Sequence, residues 1–335
     1  MLLTTEERRA GIGGSDVGAI MGVNPYCSII KCYKEKVGEI PPPELNHAME
    51  WGTILEDVVG KKYAEDNNIY YHGGSLVEEA PDFPVSKNGV MYEPATKRSD
   101  KHEWAYAHPD FYISNKEGDI TGIEVKTVGE GIYNKYWAEG DIPPWQYYQV
   151  VWYSMVTKIN KWTLVGFAPH LRSRTNPMFT HDIEIDYDTQ LRVWDRVVYF
   201  WNCVKDKTIP ELASPTGDDV KLLYPESKPE SAFSDPDIDS KCSRLSEVRS
   251  KLKPLEEEEE VLKNQIKYYM GNCGVLVNKY GKSIATYKTP KSRISVDSKG
   301  MLKDLKDKVG LHEYGKIEDQ NTKSVTPSRR FLLKQ

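Results

Sequence analysis

The chain has 335 residues, 39% of them hydrophobic, and a net charge of −5. That is enough for one large domain or two with real cores. No apolar run approaches the ~20 residues of a membrane span, and the start "MLLTTEERRAG" lacks a signal peptide's basic beginning and apolar stretch, so the expected location is the cytoplasm. The five cysteines (27, 32, 203, 242 and 273) form no C-x-x-C pair, which argues against a structural zinc site or an iron–sulfur cluster. The mild acidity gives no global sign of nucleic-acid binding, so any such surface must be local.

In chain order, "SDVGAIMG" predicts a helix with Ser15 as N-cap. "SIIKCYKEKVG" predicts another, capped by Ser28 and stopped at Gly38. Residues 47–68 predict a long amphipathic helix with Met49, Trp51, Ile54, Leu55, Val58, Val59 and Tyr63 on its apolar face. Strands are expected over 104–113 and 120–127, joined by the turn-rich "SNKEGD". A helix over 144–157, a strand over 161–170 and a helix over 188–206 follow. Helices alternating with strands predict a mixed α/β core over 1–212. The Pro-, Ser- and Asp-dense span 213–240 reads as a linker or extended arm. Residues 241–335 read as a helical and hairpin extension. Its helix begins near 238 and ends near 270, with Leu245, Val248, Leu252, Leu255, Leu262, Ile266 and Tyr269 recurring near every 3.5 residues. Pro254 is a candidate kink and Glu256–Glu260 a solvated run. A hairpin over 274–289 turning near Tyr280–Gly281, a short helix over 298–310 and a basic tail complete the chain.

The chemistry gathers in "AHPDFYI" and "TGIEVKT". Strand side chains alternate, so Glu124 and Lys126 share one face while Ile123 and Val125 take the other. Alone, that pair reads as an exposed ion pair on a half-buried strand. A hairpin between the two strands, however, brings Asp110 beside Glu124. Two such carboxylates repel unless a cation joins them, and hard oxygen ligands suit Mg²⁺ or Mn²⁺. Lys126 on the same side could then hold the attacking water and stabilise charge developing on a phosphate. The arrangement suits metal-assisted phosphodiester hydrolysis.

"PD" at 109–110 with "EVK" at 124–126 resembles the PD-(D/E)XK nuclease motif. Four further blocks in order, "GIGGSD" with "NPY", "MEWGTILE", "IPPWQYYQVVWYSMVT" and the spacing among them, resemble the lambda-exonuclease-like branch, the YqaJ-type viral recombinases. The resemblance spans roughly residues 8–205. It implies the PD-(D/E)XK core, a mixed central sheet flanked by helices, with a C-terminal α+β extension. It implies Asp110, Glu124 and Glu56 as metal ligands together with the Val125 carbonyl, Lys126 as catalytic lysine and Gln149 as a helix glutamine at the site. Ser15 and an arginine, Arg8 rather than Arg9, match a pocket for a terminal 5′-phosphate. His108 stands where lambda-type enzymes have a phosphate-touching serine. Otherwise Glu56 reads as a solvated helix residue, Ser15 as a cap and Gln149 as a core glutamine bonded to backbone. Tyr133, Tyr136 and Trp137, placed in a loop after the lysine strand, could stack on a DNA end, with Lys135 on phosphate.

The implied function is a phage-type DNA exonuclease acting 5′→3′ on linear duplex ends, leaving 3′ single-stranded tails. The implied cofactor is Mg²⁺, with Mn²⁺ as substitute and two ions per site. Expected partners are duplex DNA ends, a single-strand annealing protein of the RecT or Red-beta type, and copies of itself in a ring, a trimer favoured, in the cytoplasm of a bacterial host. A PD-(D/E)XK endonuclease and an inactive DNA-end or partner-binding module are the alternatives.

Overall fold

The β-rich runs "ITGIEVKT" and "KWTLVGF" pair in parallel at the centre of a six-stranded mixed sheet. The computed structural model describes residues 4–44, 46–77, 88–171, 176–212 and 214–289, with isolated positions between 302 and 320. These fall into two units, one reaching Leu223 and one starting at Tyr224. The first contains, in chain order, α1 (Thr5–Arg9), α2 (Gly14–Ile20), α3 (Ile29–Lys36), α4 (His47–Asp66), β1 (Tyr70–Val77), β2 (Val90–Pro94), β3 (Lys97–Arg98), β4 (Tyr106–Ala107), β5 (Phe111–Ser114), β6 (Ile120–Thr127), α5 (Glu130–Lys135), α6 (Pro144–Thr157), β7 (Lys161–Phe167), β8 (Met178–Glu184), α7 (Tyr187–Asp206) and α8 (Gly217–Leu223). The central sheet runs β1-β2-β5-β6-β7-β8; β1–β2 and β6–β7 are parallel and the other pairings antiparallel.

Each face of the sheet buries a different set of residues. Tyr112, Trp162 and Leu164 pack with residues of α2, α3, α6 and α7. Met91, Phe111, Ile123, Val125 and Val165 pack beneath α4. This is the strict alternation that a sheet covered on both faces requires. Gly60 lets α4 approach: a Cβ there would lie 2.6 Å from the Phe111 ring.

Several expectations need correcting. The single strand over 104–113 is two pieces: β4 pairs with β3, and β5 joins the central sheet. Pro109 lies at the break, where it donates no ladder hydrogen bond and restricts His108 before it. The N-cap of α2 is Gly13, not Ser15; the Asp16 carboxylate accepts the Gly13 N–H at 2.9 Å. The apolar face of α4 is narrower than its sequence stripe. Leu55, Val59 and Tyr63 reach the core, whereas Met49, Trp51, Ile54 and Val58 are exposed. The span expected as a linker includes α8, and the first unit extends past 212 to Leu223. Ser28, the N-cap of α3, donates to Asp219 of α8, whose carboxylate also caps its own helix through Thr216.

The second unit holds α9 (Pro236–Met270), helical straight through Pro254, and a hairpin of β9 (Val275–Val277) and β10 (Ser283–Thr286). Gly281, in the connecting turn, has φ +79°, which favours glycine. The helix expected over 298–310 and the basic tail lie largely outside the described residues. Among the described residues no helix is long and apolar enough to cross a membrane.

Candidate active site

Asp110 immediately precedes β5, and β5 pairs with β6 with Phe111 opposite Ile123 and Tyr112 opposite Gly122. Continuing that register sets Asp110 opposite Glu124. The Asp110 carboxylate accepts the Val125 backbone N–H at 2.7 Å, which fixes it against β6. Glu124 is 2% exposed, a rare burial for a carboxylate. Its Oε1 accepts two hydrogen bonds, from Lys126 Nζ at 2.5 Å and from Gln149 Nε2 at 2.6 Å. Gln149 lies on α6, and its Nε2 also donates to the Tyr153 hydroxyl one turn later, at 2.9 Å. Tyr153 in turn donates to the His108 carbonyl at 3.1 Å. The chain of contacts thus runs from β6 through α6 back to the residue before Pro109. Trp152 Nε1 anchors α6 to the Tyr106 carbonyl at 2.9 Å.

The electrostatics are strained. Burial, then the charge of Glu124, pushes the Asp110 carboxyl well above its ordinary range. Glu56, reaching in from α4, is pushed up to about 7 by burial and then by Glu124, with Glu93 adding to the effect. Burial works against the Lys126 ammonium, but Glu124 and Asp110 outweigh it and hold its pKa up. Several carboxyls therefore share one ammonium. Among the described residues no group of three His, Cys, Asp or Glu side chains is arranged to hold a metal ion as it stands. Glu124 Oε2 is buried with no hydrogen-bond partner among the described residues. A buried carboxylate oxygen without a donor is costly, and a cation beside it relieves both the orphaned atom and the repulsion. On that ground the site suits a divalent ion, and Asp110, Glu124, Glu56 and the Val125 carbonyl are the groups that would hold it.

The segment carrying Arg8 and Ser15 lies beside this centre. Ile12 N–H donates to the Trp104 carbonyl at 2.7 Å, and Tyr106 N–H to the Ile12 carbonyl at 3.0 Å, tying the segment to β4. Ser15 is exposed in the first turn of α2. Arg8 is exposed, whereas Arg9 reaches the Ile40 carbonyl at 3.4 Å. Burial lowers the His108 pKa, and the charge of Arg8 lowers it further. His108 Nδ1 is 3.0 Å from the Thr96 hydroxyl. Lys135 is exposed, its ammonium 5.0 Å from the Tyr136 ring. The aromatic group after β6 is not a loop of free rings. Tyr133 lies on α5 against Phe179 at 5.4 Å, and Trp137 is buried against Phe179 at 4.8 Å. Tyr136 packs edge-on to Trp145 at 5.7 Å.

Sequence reasoning missed two groups. Tyr153 was legible as the i+4 neighbour of Gln149. The other group is Lys36, whose Nζ donates to the Arg8 carbonyl at 2.7 Å, the Gly11 carbonyl at 2.8 Å and Asp16 at 2.7 Å. Nothing local in "KEKVG" signals that role, because all three partners are at least twenty residues away in sequence.

Residues 5–160 match the family model described as the YqaJ-like viral recombinase domain. The uncharacterized protein YqaJ of Bacillus subtilis (strain 168) is 25% identical over 276 residues, covering 79% of this chain and 76% of that one. Among solved structures, the alkaline exonuclease LHK-Exo of Laribacter hongkongensis is similar over 61% of this chain and 94% of its own, with 18% identity and a TM-score of 0.46. A phage related exonuclease from Haemophilus somnus 129PT is similar over 59% of this chain and 96% of its own, with 13% identity and a TM-score of 0.41.

Proposed function

We propose that the chain is a divalent-metal-dependent DNA exonuclease working 5′→3′ from the ends of linear duplex. The observation that carries this reading is the Asp110, Glu124, Lys126 and Gln149 network, with the Glu124 Oε2 left without a donor. When bound, the ion supplies charge neutralisation at the scissile phosphate and acidifies the attacking water. Mg²⁺ is the expected ion, Mn²⁺ its substitute, with two per site. Lys126 holds the nucleophilic water and stabilises the charge growing on the phosphate oxygens. Gln149, steadied by Tyr153, holds the Glu124 carboxylate in place, where it would bind the ion. Arg8, Ser15 and His108 take the terminal 5′-phosphate, and Lys135 a phosphate further along the strand. Arg8 and Ser15 are exposed beside the centre, which supports end recognition there.

The product is a 3′ single-stranded tail for a single-strand annealing protein, and the setting is the cytoplasm of a bacterial host. A ring of copies around the duplex, with a trimer favoured, reconciles a net charge of −5 with hold on DNA, because enclosure substitutes for a broad basic patch. Linear duplexes labelled at either end, with 5′-phosphate or 5′-hydroxyl termini, test the reading. The expected result is metal-dependent shortening from the 5′ end, faster with the phosphate. Cleavage of closed circles at the same rate would mark an endonuclease, and no hydrolysis with Mg²⁺ or Mn²⁺ a binding module.

A further inference from the structure

The apolar side chains of α9 recur with a heptad period. Ile238, Leu245, Leu252 and Ile266 fall on one position of the repeat, and Val248, Leu255, Leu262 and Tyr269 on the position three residues later. Lys241 and Glu259 are the charged residues in this seam. On a straight helix with 3.6 residues per turn such a stripe drifts around the surface; it stays on one face when two helices supercoil. Within its own unit the stripe has no cover among the described residues: Leu252 is 47%, Leu255 60% and Leu262 50% exposed. Pro254 falls outside the seam, and the glutamate run enters it only at Glu259.

The two charged positions select the occupant and its direction. In a parallel, in-register pair, Lys241 meets Lys241 and Glu259 meets Glu259, a repulsive match at both. In an antiparallel pair that sets Glu259 against Lys241 of a second copy, the same register sets Ile238 against Leu262, Leu245 against Leu255 and Leu252 against Val248. From Ile238 to Leu262 every layer is then complementary, apolar on apolar or acid on base, while Ile266 and Tyr269 lie beyond the start of the second copy's helix. Lys241 and Glu259 already pair within the helix, with Asp237 at 2.5 Å and Lys263 at 2.8 Å. Those pairs are exposed and weak, so exchanging them costs little. The cost of this register is that Arg249 and Lys251 approach their own copies at its centre, at a solvated edge where salt screens them.

We propose that α9 is a self-association seam, pairing antiparallel with α9 of a second copy of this chain. The inference does not depend on the nuclease reading. The test is sedimentation of the full chain across a concentration series. The double substitution Leu252→Glu/Leu255→Glu, which keeps good helix formers, is expected to lower the assembly mass at least twofold while circular dichroism shows a folded chain. Lys241→Glu or Glu259→Lys alone is expected to weaken association at least tenfold. Exchanging the two charges together restores it, because the antiparallel layers are re-formed. Unchanged mass in the double glutamate variant overturns the proposal, even if binding of another protein is lost. Failure of the exchanged pair to restore association overturns the antiparallel self-pairing.

Discussion

Raising the pH without metal will loosen the first unit, and a divalent cation will reverse the loss. Glu56 is the group to follow: burial, then the charge of Glu124, carries it from its ordinary 4.5 to about 7. A group whose folded pKa lies above its unfolded one contributes stability that is full below the unfolded pKa and lost as pH rises through the folded value. The window therefore runs from about pH 4.5 to above 7. The full shift corresponds to about 3 kcal/mol, and screening around a half-buried, coupled carboxyl reduces this to about 1–2 kcal/mol. Asp110, raised for the same reasons, adds to the loss. Urea unfolding at pH 5, 6, 7 and 8, in EDTA and in Mg²⁺, measures it, with Glu56→Gln as the reference for unrelated titrations. In EDTA the wild type should lose about 1–2 kcal/mol relative to the variant between pH 5 and 8. Mg²⁺ should stabilise the wild type more at pH 8 than at pH 5, since binding displaces protons. Parallel pH profiles for wild type and variant, or Mg²⁺ stabilisation equal at both ends, would refute the reasoning.

Further predictions test the surroundings of the site. Gln149→Ala or Tyr153→Phe loosens Glu124 and should lower kcat about tenfold or more with DNA binding little changed, read from single-turnover digestion and binding isotherms. Lys36→Met leaves Asp16 and two carbonyls without their donor; it should cost about 3–5 kcal/mol in denaturant unfolding. In whatever fraction folds, it should erase any preference for 5′-phosphate over 5′-hydroxyl ends. Gly60→Ala drives a Cβ toward the Phe111 ring and should cost about 1–3 kcal/mol in thermal or chemical unfolding. On α4, Val59→Ala should cost about 1–2.5 kcal/mol, whereas Val58→Ala next to it stays within about 0.5 kcal/mol.

The heart of the site was legible because it is local. Period-two alternation alone puts Glu124 and Lys126 on one side of β6, and a hairpin brings Asp110 beside them. The helix over 144–157 was equally readable, since its apolar periodicity runs unbroken from Pro144 to Thr157. What escaped depends on long-range contact. Periodicity marks α4 as amphipathic but cannot say how wide a stripe the sheet will cover, so Trp51 and Val58 were assigned inward though both are exposed. The Ser15 cap failed because Asp16 reaches back to Gly13, an alternative that the same four residues offer equally well. Strands β1, β2 and β8 were passed over in sequence, and their place is set by pairing with strands read elsewhere. The role of Lys36 exists only once α3 packs beside the chain that precedes α2.

The central claim is that Glu124, with Asp110 and Lys126, hydrolyses DNA through a bound divalent ion. The most direct measurement is nucleotide release from linear duplex by wild type, Glu124→Gln and Lys126→Met, in Mg²⁺ and in EDTA, beside duplex binding by the same proteins. The account predicts release by the wild type in Mg²⁺ alone, a fall of about a thousandfold or more in both variants, and DNA binding retained by all three. Glu124→Gln or Lys126→Met digesting duplex at the wild-type rate, or wild-type digestion undiminished by EDTA, would contradict it.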